Sequence, residues 1–105
     1  MSMLEKTKAW LRKRYPLPFG ISIRVVADSK LPSAYGMWQW DGNRGLIQLR
    51  RGLSDEHASE TLLEEYAHAI RESLAIPVDY EHEAHDGHFW LVYGALVTEW
   101  RNTHL

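Results

Sequence analysis

The chain has 105 residues, enough for one domain with its own apolar core, which predicts a single domain over residues 1–105. It holds no cysteine, which excludes disulfides and thiolate metal sites, so a transition-metal site must use histidine and carboxylate. No apolar run approaches the ~20 residues of a membrane span, and Met1 to Lys6 carry no apolar signal core, which predicts a cytoplasmic chain with no membrane partner.

The formal net charge of −2 conceals two opposed halves. Met1 to Arg51 carries +7, Gly52 to Leu105 carries −9, and all six histidines fall in the second half. A basic half suits a polyanion such as DNA, and an acidic, histidine-bearing half suits a cation. The alternative is that the two halves attract each other across one fold.

Taken in order, the chain opens on Ser2 and Glu5, a capping-box pattern before a helix that Pro16 must end. Leu4, Ala9, Trp10 and Leu11 give that helix an apolar side, and Lys6, Lys8, Arg12, Lys13 and Arg14 make it basic. Ile21-Ser22-Ile23-Arg24-Val25 alternates with period two and reads as a half-buried strand. A turn-like stretch from Asp28 to Ser33 leads to a second strand, Tyr35 to Trp40. Trp38 and Trp40 share one face there, as cross-strand packing rather than a stacking platform for bases. Asp41-Gly42-Asn43-Arg44-Gly45 is a hairpin signal, and Leu46 to Arg50 is the returning strand.

Ser54 is the expected N-cap of a long central helix with acids in its first turn, running to about Leu74 before Ile76-Pro77 closes it. Val78 to Asp86 is an acidic, histidine-bearing loop. Asp86 caps a last helix with Phe89, Trp90, Tyr93, Leu96, Val97 and Trp100 as its apolar stripe. The predicted class is α+β: an N-terminal helix, a three-stranded sheet containing antiparallel pairing, the long helix and a C-terminal helix.

The chemistry concentrates on the central helix. Leu62, Leu63, Tyr66, Ala67, Ala69, Ile70 and Leu74 fill one arc, and Thr61, Glu64, Glu65, His68, Arg71 and Glu72 fill the other. Glu64 and His68, four apart, lie one above the other, with Glu65 beside them. A solvated surface face is the plain reading of such an arc. A metal site with its base is the chemical one.

The stretch Glu64-Glu65-Tyr66-Ala67-His68 resembles the His-Glu-x-x-His motif of the zincin metallopeptidases, with glutamate in place of the first histidine. Its surroundings are similar to those of the small SprT-like and phage-type zinc peptidases, in which a third histidine follows downstream with an aromatic residue four positions later. His85-Asp86-Gly87-His88-Phe89 supplies that pattern. The likeness extends from Ile21 to Arg101. It implies a minimal zincin-like domain that hydrolyses peptide bonds in a polypeptide substrate, with relatives that often act on DNA-bound proteins.

It further implies Zn2+ held by Glu64, His68 and His85, with His82 and His88 as alternative ligands and Glu65 as the general base. The carboxylate ligand makes zinc a weaker Lewis acid and shifts preference toward harder divalent metals such as manganese. Tyr80, His82 and Arg71 are candidates to polarise the scissile carbonyl. An extended substrate would add to an edge strand above the helix, and Leu46, Ile47, Gln48, Leu49 and Arg50 are assigned to that strand. The competing reading is a zincin-like binding or regulatory module without catalysis.

Overall fold

A computed structural model describes residues 2–75 and 85–104. Ser2 starts helix α1 (Met3–Arg14) by accepting the Glu5 N–H on its hydroxyl. Strand β1 (Gly20–Val26) and a single 3-10 turn at Asp28–Lys30 follow. Strands β2 (Gly36–Trp40) and β3 (Arg44–Arg50) come next, then helices α2 (Asp55–Ser73) and α3 (Gly87–His104). Among the described residues the class is mixed α+β, three helices with a three-stranded sheet. None of these helices is long and apolar enough to cross a membrane.

The sheet order is β1-β3-β2. β3 pairs in parallel with β1, Ser22 opposite Leu46 and Arg24 opposite Gln48, and antiparallel with β2, Trp38 opposite Ile47. This corrects the assignment of Leu46, Ile47, Gln48, Leu49 and Arg50 as the substrate strand. Both sides of β3 are already hydrogen-bonded, so it has no open edge to offer. Among the described residues, the strand that combines an open edge with contact to α2 is β2.

One face of the sheet is apolar and closes on α2. Ile47 and Leu49 from β3 meet Leu62, Leu63, Tyr66 and Ala67 from α2, and Phe89, Leu96 and Trp100 from α3 complete the core with Leu11 of α1. Trp38 and Trp40 stack on each other with centroids 6.3 Å apart, and Phe19 meets the Trp40 ring at 4.6 Å. Trp38 lies flat over Gly45, where a Cβ would fall 2.3 Å from the ring. Trp90 departs from the expected stripe: it is exposed, and Phe89, Leu96 and Trp100 form the buried line of α3.

The oppositely charged halves meet at several points. The Asp55 carboxylate accepts the backbone N–H groups of Met3 and Leu4, at 2.6 and 3.0 Å, and so stabilises the start of α1 from the first turn of α2. At the other end of α1, Arg14 pairs with Glu99 of α3 at 2.6 Å, and the Tyr15 hydroxyl donates to the same carboxylate. Between them, the buried hydroxyls of Thr7 and Ser59 share a hydrogen bond, and Tyr66 donates to the Tyr15 carbonyl at 2.7 Å. Part of the charge asymmetry is thus spent inside the fold.

Candidate functional site

Ser54 fixes the start of α2 by accepting the His57 N–H, and the helix runs unbroken through Glu64, Glu65 and His68. Asp86 fixes the start of α3: its carboxylate accepts the Phe89 N–H at 2.8 Å. The same carboxylate receives Nε of Arg71 at 3.1 Å and a terminal guanidinium nitrogen at 2.7 Å. Arg71 is 3% exposed, so this fork pins the head of α3 against the flank of α2. The Arg71 guanidinium and the Phe89 N–H hold the Asp86 carboxyl well below the usual carboxylate range. Arg71 is therefore engaged in structure rather than turned toward a scissile carbonyl.

That pinning delivers His85 to His68. Their Nε2 atoms are 3.0 Å apart and their rings are stacked, 4.8 Å between centroids. Phe89, fully buried, lies against both imidazoles at 4.4 Å. Burial and the neighbouring His85 push His68 down from 6.5 to about 4, so its imidazole is neutral, the form that ligates a metal. Glu64 Oε1 stands 3.9 Å from His85 Nε2. Neighbouring ligands of a tetrahedral zinc with bonds of about 2.0–2.2 Å lie ~3.3 Å apart. In this arrangement no group of three His, Asp or Glu side chains among the described residues is close enough to hold a metal, and the Glu64 gap is the wide one. Glu64 is half-buried at the surface.

His88 is exposed in the first turn of α3 with Nδ1 3.8 Å from Asp86. His82 and Tyr80 fall outside the described residues.

Glu65 departs from the polar arc assigned to it. It is 8% exposed, because Thr61 and Glu65 lie against Gly36 at the start of β2. At Gly36 a Cβ would fall 2.6 Å from Thr61 Cγ2 and 3.1 Å from Glu65 Cγ, so only glycine lets the strand sit this close. Among the described residues the Glu65 carboxyl makes no hydrogen bond or ion pair. Burial, with Glu64 adding repulsion, raises it from 4.5 to about 7, the range of a general base near neutral pH.

Glu65 opens onto a cleft between β2 and α2, of about 300 Å³, lined by Tyr35, Gly36, His57, Glu60, Glu64 and Tyr93 among others. Tyr35 packs on the His57 ring at 4.5 Å. Burial and then the Glu64 and Glu60 charges raise the Tyr93 hydroxyl, which keeps its proton and remains a donor. Sequence reading placed Tyr93 in the apolar stripe of α3 and missed its place at this cleft. The signal available was its polar tip, since a tyrosine on a stripe turns its hydroxyl toward a polar boundary.

Comparison of the chain with protein-family models, with curated proteins and with solved structures finds no match.

Proposed function

We propose that the chain is a metal-dependent peptidase of minimal zincin type. Glu64, His68 and His85 would hold a divalent cation, zinc by the nature of a His2Glu donor set, and Glu65 would act as general base. The observation that carries this reading is a conjunction. The imidazoles of His68 on α2 and His85 before α3 meet at 3.0 Å on a buried phenyl ring, with Glu64 one turn before His68 and Glu65, a largely buried residue whose carboxyl has no protein partner among the described residues, beside it. A solvated helix face has no reason to bury Glu65 or to stack two histidines.

A metal in that position supplies Lewis acidity for attack on a carbonyl. The remaining work belongs to the chain. Glu65 takes a proton from the attacking water and returns it to the leaving amine. Tyr93, which lines the same cleft, donates to the developing oxyanion. An extended polypeptide adds to the open edge of β2, which runs beside Glu65.

The glutamate at position 64 and its 3.9 Å separation from His85 favour a second reading, a zincin-like binding module without catalysis. One experiment separates the two. Metal content is measured on protein purified without chelator, zinc affinity by calorimetry, and hydrolysis on an unfolded protein substrate. Peptidase function requires metal in the wild type, tighter zinc binding in Glu64→His, and loss of hydrolysis with retained metal in Glu65→Gln. Wild type and Glu64→His that are both metal-free and inert leave only the binding module.

A further inference from the structure

The cleft beside Glu65 has a one-sided electrostatic character that the peptidase reading does not use. Glu60, Glu64 and Glu65 all line it, and no lysine or arginine does so among the described residues. Glu56, Glu60 and Glu64 follow one another at four-residue spacing along α2, a like-charge stripe that weakens a helix by ~0.2–0.5 kcal/mol per pair. Glu60 is exposed and has no ion pair among the described residues. An acidic stripe by itself is a solvated face. This one differs because it runs into a concavity that Glu65 also lines, a residue only 8% exposed whose carboxyl has no hydrogen-bond or ion-pair partner among the described residues. Tyr35 and Tyr93 add aromatic walls to that opening, suited to the apolar stem of a long cationic side chain and to a guanidinium plane.

We propose that this cleft selects a lysine or arginine side chain, presented by an extended polypeptide on the open edge of β2, with Glu60 as the specificity-determining carboxylate. The polypeptide nature of the ligand rests on the peptidase reading; the cationic preference rests on the cleft alone. When a metal ion takes Glu64, the exposed Glu60 remains a free negative charge in the lining, with the largely buried Glu65 in the same lining.

The probes are three fluorophore-labelled peptides, identical except for a central arginine, citrulline or glutamate. Binding to the whole chain is read by fluorescence anisotropy at low ionic strength, and cleavage is followed separately by mass spectrometry. The arginine peptide should bind at least about fivefold more tightly than the citrulline peptide, which matches it in shape but not in charge. Glu60→Gln should bring the two within about twofold, and Glu60→Lys should favour the glutamate peptide. Glu60 is exposed, and circular dichroism confirms that both variants keep the fold. Equal affinity for arginine and citrulline in the wild type, no binding of any peptide, or a preference that survives both substitutions each overturns the proposal. Charge-selective binding without cleavage removes the peptidase reading and leaves the selectivity standing. Cleavage without charge preference does the reverse.

Discussion

Glu65 and His68 titrate in opposite senses. Glu65, raised from 4.5 to about 7 by burial, binds its proton more tightly folded than unfolded. That contribution to stability is therefore lost as pH rises from about 4.5 to 7. His68, lowered from 6.5 to about 4, binds its proton more tightly unfolded, so its contribution is gained as pH rises from about 4 to 6.5. Between pH 4.5 and 6.5 the two largely cancel in metal-free protein. Glu65→Gln removes one side of that balance. Urea unfolding in chelating buffer should show the variant more stable than wild type above pH 7, by about 3 kcal/mol, with stability that rises to pH 6.5 and then levels. A variant with unchanged stability at pH 8 would mean that the carboxyl is solvated rather than buried. This burial was not legible in the sequence. A helical wheel orders residues by angle about one axis, and the polar arc it gives Glu65 is correct for an isolated helix. What buries the side chain is a strand laid across it at Gly36. Glycine at that position is a local mark of close approach with nothing in the sequence to say to what. Gly36→Ala should push β2 away from Thr61 and Glu65, lower the melting temperature, and return the Glu65 titration toward 4.5 as measured by carboxyl NMR.

Elements were far more legible than their arrangement. Ser2, Ser54 and Asp86 each stand at a helix start, because a hydroxyl or carboxylate before an apolar period satisfies an N–H that the helix leaves free. The β2–β3 hairpin was legible in Asp41-Gly42-Asn43, where the Asp41 carboxylate accepts the Asn43 and Arg44 N–H groups. The parallel pairing of β1 with β3 was not, since no local turn encodes a partner reached by crossing the sheet. One clue existed: Gly45-Leu46-Ile47-Gln48-Leu49 is more continuously apolar than Ile21 to Val25, as suits a strand flanked on both sides. Asp55 carries a different lesson. It reads as a first-turn acid of α2, yet it also serves the start of α1, fifty-two residues away from Met3. Asp55→Ala should cost about 1 kcal/mol, the ordinary worth of an N-terminal cap, with an unchanged urea m value. Ser54→Ala should weaken α2 alone, through loss of the His57 N–H cap, whereas Asp55→Ala also releases the start of α1.

At the scale of the molecule, the proposed metal ligands lie on different elements, and that makes their occupancy visible in global stability. Glu64 and His68 belong to α2, whereas His85 stands just before α3 and is held there by the neighbouring Asp86–Arg71 fork. A cation shared among them would tie α2 to the head of α3, a tie now made by the fork, by the stacked imidazoles and by Phe89. Any ligand that binds only the folded chain adds stability by mass action, about 2.7 kcal/mol at a hundredfold excess over its dissociation constant. For a domain of this size ~1 kcal/mol moves the melting temperature by about 4–8 °C. Saturating zinc should therefore raise the wild-type transition by ten degrees or more on the same scale. His68→Ala and His85→Ala should each abolish most of that rise, because each removes one of three donors. Asp86→Asn keeps an acceptor for the Phe89 N–H but weakens the fork. It should retain a rise at higher zinc, with affinity reduced about tenfold as for other groups that orient a ligand from outside the metal's shell. Glu65→Gln should keep the full rise, since the proposed base touches water and not the cation. His88→Ala should keep it as well, its ring lying beside Asp86 and not among the three donors. A zinc-dependent shift that survives both His68→Ala and His85→Ala would place the cation elsewhere on the chain and dissolve the link between this helix pair and peptide hydrolysis.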